Sequence, residues 1–126
     1  MQQMFPISPE QMAERAGAAV AMLKALANEH RLLILCHLIE ARELSVGQLV
    51  DRIGLSQSAL SQHLGKLREE RIVEFRRESQ TLFYHVSDER AGQLLILLRD
   101  IFCAEPDVLA SGDSRMATGP IASLKQ

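Results

Sequence analysis

The chain has 126 residues, which suits one domain, because a second hydrophobic core would be too small to be stable alone. Its net charge of -2 excludes a general polyanion binder, so any nucleic-acid surface must be a local patch. Two cysteines are too few for a disulfide scaffold, and the lack of a leader-like start or a bilayer-length apolar run predicts a cytoplasmic protein with no membrane partner.

The first third of the chain predicts two successive helices. Ser8 is suited to cap the first, with Pro9 in its first turn and Gln11 at the position of a capping box. Apolar residues then recur at helical spacing, and abundant alanine favours close helix–helix approach. Asn28 is the predicted cap of a second helix that ends near Ala41.

Two short helices joined by a glycine-containing turn come next. Ser45 and Gln48 fit a capping box at the start of the third helix. Gly54 is suited to a left-handed conformation that ends this helix, and Ser56 to capping the fourth, which spans about residues 57–70. Helices joined in this way predict a helix-turn-helix.

A hairpin and a last helix complete the predicted domain. Residues 72–77 and 81–86 are rich in β-branched and aromatic residues around a polar centre, which predicts two strands that make the motif winged. Ser87 is the predicted cap of a last helix, which has a wide apolar face and ends near Pro106. We therefore predict a mainly α fold with a β-hairpin wing (α+β) over residues 1–106, and a polar, flexible tail over residues 107–126.

The fourth helix has an unusual outer face. At about 100° per residue, its leucines cluster on one side and Ser58, Ser61, Gln62 and Gly65 on the other. That outer face is short, uncharged and hydrogen-bonding, whereas a solvated helix face usually carries Lys and Glu. Serine and glutamine side chains bond base edges in the major groove, and glycine permits close approach to the duplex.

The same region is locally basic. Residues 52–77 hold six basic and three acidic side chains, a charge of +3 in a chain of -2. Because phosphate neutralisation dominates affinity for DNA, these charges lie where a DNA-binding protein needs them. The alternative is a polar helix face beside an ordinary exposed hairpin, and for His63 a packed position is as compatible as a phosphate contact. The predicted DNA contacts are Gln57, Ser58, Ser61, Gln62, His63, Lys66, Arg68, Arg77 and Gln80.

The stretch ELSVGQLVDRIGLSQSALSQHLGKLREERIVEFRRESQTLFYHV resembles the ArsR/SmtB winged helix-turn-helix repressors. The resemblance covers about residues 23–103, and its segment LSQSALSQHL is highly specific. It implies a homodimer formed through the first and last helices, which binds a pseudo-palindromic operator in double-stranded DNA. Arg71 departs from the family pattern, which often has glycine there, so either this arginine is left-handed or the helix ends differently.

Metal-sensing members of the family carry a Cys-x-Cys pair where this chain has Ser45, Val46 and Gly47. Other members bind zinc with Asp and His pairs on the last helix, which here offers Asp100 but no histidine. A soft-metal site needs about three soft ligands. We therefore predict neither a metal site nor a cofactor.

Cys36 in the second helix and Cys103 in the last resemble the dithiol, persulfide-sensing subgroup of the family (SqrR/BigR/HlyU-type). The resemblance implies that the two cysteines lie near each other in one protomer. Persulfide or polysulfide small molecules would join them through a disulfide or polysulfide link that lowers operator affinity. A direct disulfide needs Cα atoms within about 7 Å, so a slightly wider pair would select the longer link. Taken alone, without the resemblance, the sequence favours small core filler for Cys36.

The sequence is also compatible with other functions. The same repressor could respond to a metal ion through both cysteines and a histidine, or to general thiol oxidation. It could also be a HlyU-type activator that displaces another repressor, or a protein-interaction module that uses its last helix. No phosphate loop, paired carboxylates or nucleophile–base signature occurs, so we do not predict an enzyme.

Overall fold

Five helices and three strands occur in the computed structural model, which describes residues 8–103. The helices are α1 Pro9–Leu26, α2 Glu29–Ala41, α3 Val46–Ile53, α4 Gln57–Glu69 and α5 Glu89–Cys103. The strands are β1 Leu44–Ser45, β2 Val73–Glu78 and β3 Thr81–Val86. The prediction of a mainly helical fold with a hairpin wing is confirmed. The predicted helix end near Pro106 and the predicted tail over residues 107–126 lie outside the described residues.

Two compact units divide the chain inside α5. The first unit extends to Ala91 and contains α1 to α4 with the whole sheet. The described part of the second unit is the rest of α5, from Gly92 to Cys103. The helix-turn-helix and its wing therefore belong to a single unit.

The wing is a three-stranded antiparallel sheet with the strand order β1-β3-β2. We did not predict β1, because two residues are too short for a periodic pattern. It pairs Leu44 with Tyr84 and Ser45 with Phe83, which places β3 in the middle of the sheet. The predicted first strand is wrong by one residue, because the Ile72 N–H donates back to the Leu67 carbonyl of α4 at 2.9 Å and β2 begins only at Val73.

The core of the first unit lies where α2, α3 and α4 pack together with the start of β2. Leucines at 60, 64 and 67 form the buried stripe predicted for α4, and each is at most 1% exposed. Full burial of one such side chain contributes about 1.5–3 kcal/mol. The largest fully buried side chains are Ile34, Leu35, Leu38, Leu49, Leu60, Leu64, Leu67, Ile72 and Val73.

Side-chain caps begin most of the helices where the sequence predicted them. Asn28 and Ser56 accept backbone N–H bonds at the starts of α2 and α4. At α3 both halves of the capping box are present, since Ser45 and Gln48 each bond the other's backbone N–H. At α1, Ser8 caps the helix as predicted by accepting the Gln11 backbone N–H, but the Gln11 side chain does not complete the predicted capping box, and the Ser8 hydroxyl donates to Glu10.

The predicted cap of α5 is wrong by one residue. Asp88 accepts the backbone N–H of Arg90 at 2.8 Å, and the same arginine side chain holds the pKa of this carboxyl below its usual range. Ser87 instead follows β3, donating its N–H to the Ile72 carbonyl at 2.8 Å and its hydroxyl to the Arg71 carbonyl at 3.2 Å. Because these bonds continue the pairing between β3 and the β2 side of the sheet by one residue, α5 begins only at Glu89.

Arg71 has a left-handed backbone, with φ of 60°. Its N–H donates to the Arg68 carbonyl at 2.8 Å, and the next N–H, of Ile72, donates to the Leu67 carbonyl at 2.9 Å. These two bonds form a Schellman motif, with Leu67 and Ile72 as its buried apolar pair. A Schellman motif favours glycine at its left-handed position. Here the helix ends in the same way with an arginine at that position, so the first of the two alternatives, a left-handed Arg71, is correct.

Replacing Arg71 with glycine should stabilise the protein. A left-handed backbone costs a non-glycine residue about 1–2 kcal/mol, of which the greater freedom of glycine in the unfolded chain offsets part. We expect a net gain of about 0.5–1 kcal/mol in the free energy of unfolding, measured by urea denaturation. The matched variant Arg71→Ala removes the same side chain but keeps the strain. Equal stability of the two variants would contradict the strain assigned to this position.

Candidate nucleic-acid interface and cysteine pair

The turn between α3 and α4 sets the direction of α4. Gly54 is left-handed, with φ of 91°, and its N–H donates to the Val50 carbonyl at 2.9 Å, ending α3. Ser56 then accepts the Ala59 N–H at 3.1 Å and starts α4. Leu49 of α3 and Leu60 of α4, both fully buried, belong to the common core. The two helices thus form the predicted helix-turn-helix.

Most of the outer face of α4 is exposed, and Gly65 is half-buried. Gln57, Ser58, Ser61 and Gln62 are all exposed, so the predicted polar face does not serve the core. A β-carbon built at Gly65 would meet no atom within 4 Å, so the fold itself does not require glycine there. Packing within the first unit therefore does not explain why the side chains of this face are small and hydrogen-bonding.

His63 lies behind this face rather than on it. It is half-buried, its Nδ1 is 3.4 Å from the Arg31 Nε donor, and its ring centroid is 5.7 Å from that of His30. Partial burial lowers the pKa of His63, and the charges of Arg31 and His30 lower it further. These contacts with Arg31 and His30 support the packed alternative for His63.

The lowered pKa of His63 gives the protein a pH-dependent stability. Since the folded state binds this proton less readily than the unfolded state does, the free energy of unfolding should decrease as the pH falls below the ordinary value of 6.5. We expect His63→Gln to flatten this decrease in thermal melts at pH of about 7 and 5. The control His85→Gln, in β3, should leave it in place. A decrease as steep in His63→Gln as in the parent would contradict this assignment.

The tip of the wing carries Arg77 and Gln80, both exposed. A two-residue turn, Ser79–Gln80, joins the pair Glu78 and Thr81, with φ of 58° at Ser79. Arg77 pairs across the sheet with Leu82. Because side chains alternate along a strand, Arg77 shares the face of Phe75, and Arg76 lies on the opposite face.

The six basic residues of the region have different environments. Arg52 lies 3.6 Å from Glu40, and Arg76 is ion-paired with Glu43 and Glu78. Arg68 is stacked 4.5 Å from the Phe75 ring centroid, which joins α4 to the wing. Within residues 8–103, no ion pair involves Lys66, Arg68, Arg71 or Arg77. These four charges therefore remain available to DNA phosphates.

The two cysteines lie in different units, Cys36 in α2 and Cys103 as the last residue of α5. Both are thiols. Cys36 is exposed, although its neighbours Ile34 and Leu35 are fully buried, and Cys103 is half-buried. The core-filler interpretation of Cys36 is therefore wrong. An exposed thiol is open to small reagents, as redox chemistry requires.

Large apolar side chains are exposed in each unit. In α1 they include Met12, Val20 and Leu23, which is 54% exposed. In α5, considered by itself, they reach 79% exposure at Phe102 and also include Ile96, Leu97 and Ile101. Exposed apolar surface on this scale is typical of an interaction surface.

The described residues hold no cluster of three or more His, Cys, Asp or Glu side chains placed to bind a metal ion. Across residues 8–103, every helix is too short or too polar to span a bilayer.

Known proteins resemble this chain over most of its length. Residues 28–74 match the family described as "Bacterial regulatory protein, arsR family". The transcriptional activator HlyU of Vibrio cholerae is 47% identical over 78% of this chain and 90% of that protein. The biofilm growth-associated repressor of Xylella fastidiosa is 45% identical over 76% of this chain and 83% of its own length. The solved structure of reduced HlyU from Vibrio cholerae matches 75% of this chain and 98% of its own with a TM-score of 0.70 and 48% identity.

Proposed function

This chain belongs to the ArsR family of bacterial regulatory proteins, and we propose that it is a homodimeric repressor released from operator DNA when persulfides link Cys36 to Cys103. It is a transcriptional regulator and not an enzyme. In this proposal residues 1–106 form the DNA-binding and dimerisation domain and residues 107–126 its tail. The observation that carries the DNA-binding role is the exposed, uncharged face of α4.

The DNA interface that we propose joins this face to the wing tip. Gln62 is suited to two bonds with adenine, and the serines at 58 and 61 to single bonds with base edges. Lys66, Arg68 and Arg77 supply charge for phosphates, which sets affinity but not sequence preference. His63 contributes indirectly, because its contacts with Arg31 and His30 support the buried side of α4.

A homodimer would explain the exposed apolar residues of α1 and α5. A two-fold dimer buries the same surface of both protomers and presents two recognition helices to a pseudo-palindrome. Sedimentation or light scattering should give twice the chain mass. Substituting glutamate for Leu97, which is 52% exposed, should shift the protein toward monomers.

The switch that we propose has balanced sulfur chemistry. One persulfide molecule transfers its outer sulfur to one cysteine and leaves as a thiol. A second forms a mixed disulfide with the other cysteine and releases hydrosulfide. The protein persulfide then attacks this mixed disulfide and expels the second thiol, leaving a trisulfide between Cys36 and Cys103. Cys36 and Cys103 belong to different units, so the link would constrain one unit against the other.

One relative supports a thiol input. The solved structure of HlyU from Vibrio cholerae is described as that of the reduced protein, so its redox form is specified. The regulatory effect nevertheless differs between relatives, since HlyU is described as an activator and the biofilm growth-associated protein as a repressor. The alternative role is therefore an activator that displaces another repressor. A promoter–reporter assay with and without the protein separates the two, because a repressor lowers transcription in the absence of any competitor.

The deciding experiment uses one DNA duplex throughout. The reduced wild-type protein selects this duplex from a random-sequence pool, and we call it the selected duplex. The protein is treated with an organic persulfide, and in parallel with diamide, peroxide or Zn²⁺. Intact mass and peptide mapping report the link, and gel shift reports DNA binding. A sulfur-containing Cys36–Cys103 link with loss of binding supports the proposal. Release by Zn²⁺ or peroxide alone would replace it with a metal or general oxidation response.

A further inference from the structure

Arg76 lies on the face of the wing opposite to Arg77. It pairs with Phe83 of the central strand, and Phe83 pairs in turn with Ser45 of β1. The Arg76 guanidinium carbon sits 4.7 Å from the centroid of the Phe83 ring. The side chain thus extends across the middle of the sheet, from β2 toward β1.

At the far side of the sheet Arg76 meets Glu43, in the connection between α2 and β1. Its Nε donates to Glu43 Oε1 at 2.9 Å and its Nη2 to Oε2 at 2.8 Å, which is a fork-shaped, two-point ion pair. Its Nη1 donates to Glu78 Oε1 at 3.0 Å, beside the wing turn. One guanidinium therefore joins the connection after α2 to the strand end that leads into the turn.

The two ion pairs leave Arg76 little unneutralised charge for contacts with DNA phosphates. Two carboxylates oppose its single charge, and the bond from Arg76 holds the pKa of Glu43 below its usual range, so that Glu43 stays ionised. Arg77, one residue along, has no such pair among the described residues. The adjacent arginines of the sequence thus have different surroundings, one internally paired and one open to phosphate.

We propose that Glu43 and Arg76 are positioning residues of the DNA interface: their ion pair fixes the wing against the α2–β1 connection and so sets where Arg77 and Gln80 meet DNA. This inference rests on the proposed interface. An isolated exposed ion pair contributes little to stability. Here the two-point bond to Glu43, the bond to Glu78 and the Phe83 ring together fix the orientation of the Arg76 side chain. Only the planar guanidinium of arginine can make all three contacts.

The test compares five variants on the selected duplex: Glu43→Gln, Arg76→Gln, the combination of these two, Arg76→Lys and Arg77→Gln. Affinity is measured at several salt concentrations, and thermal melting monitors folding. A phosphate contact contributes about one unit to the slope of log affinity against log salt. We expect Arg77→Gln to reduce this slope by about one. Glu43→Gln and Arg76→Gln should each weaken binding about three- to tenfold at nearly unchanged slope and melting temperature.

The double variant shows whether the pair acts as a unit. If it does, the combined loss should equal that of either single change rather than their product. Arg76→Lys should fail to restore binding, because an ammonium cannot make the two-point bond. A slope reduced by Arg76→Gln as much as by Arg77→Gln, or stronger binding by Glu43→Gln, would overturn the inference. If Arg77→Gln and changes on the face of α4 leave binding intact, the proposed interface itself fails.

Discussion

Replacing Gln62 with glutamate should lower affinity for the selected duplex at least about 100-fold while leaving the fold intact. The exposed amide of Gln62 lies on the outer face of α4, where it has both a donor and an acceptor for a base edge. Glutamate keeps the size of the side chain but loses the donor, at a cost of about 1–3 kcal/mol. It also turns a negative charge toward the phosphates, and like charges in an interface cost several kcal/mol more.

The fold should tolerate this change because Gln62 is exposed and glutamate forms helix as readily as glutamine. Gel shift or fluorescence anisotropy gives the affinity, and circular dichroism and melting confirm the fold. The matched variant Gln93→Glu makes the same change at an exposed position of α5 and should bind almost normally. Binding by Gln62→Glu within threefold of the parent would remove α4 from the proposed interface.

Substituting serine at either Cys36 or Cys103 should abolish release from DNA by persulfide. Serine keeps the size of the side chain but is no sulfur nucleophile, so the remaining cysteine forms only an open persulfide or a mixed disulfide. Neither product joins the two units of the chain. Reduced variants should bind the selected duplex like the parent, since neither cysteine is in the proposed interface.

The double serine variant controls for persulfide reactions elsewhere in the chain. Mass spectrometry should find added sulfur on each single variant, none on the double variant, and the link only on the parent. Full release of DNA from the Cys103→Ser variant would show that modification of Cys36 alone is the signal. The model of a bridge between units would then be wrong, while the sensing role of Cys36 would remain.

Local signals predicted most of the fold. These signals are the serine and asparagine caps, Gly54 and the leucine stripe of α4. Each acts over three or four residues, so its effect can be predicted from the sequence alone. The errors lie where a distant contact competes with a local one. Ser87 has cap chemistry, yet its N–H bonds the carbonyl of Ile72, 15 residues earlier, and Asp88 takes its place.

The candidate DNA surface was predictable for the same reason, since one helix carries most of it and helix geometry fixes which side chains share a face. The wing was harder. Arg76 and Arg77 contribute equally to a count of charges. Strand alternation places their side chains on opposite faces of the sheet, and the pairing of β1 with β3 brings Glu43 to the face of Arg76. Glu43 was missed because it lies 33 residues from Arg76, a separation at which no local pattern links two residues.

The sequence by itself determined the helix order, the turn before α4, the character of its outer face and the family, because each depends on neighbouring residues. Only the tertiary structure decided that Arg71 is left-handed, that Cys36 is exposed and that His63 contacts α2. These properties depend on what a side chain meets after distant segments pack. Burial, ion pairing and pKa shifts arise from that packing, and local periodicity does not encode it.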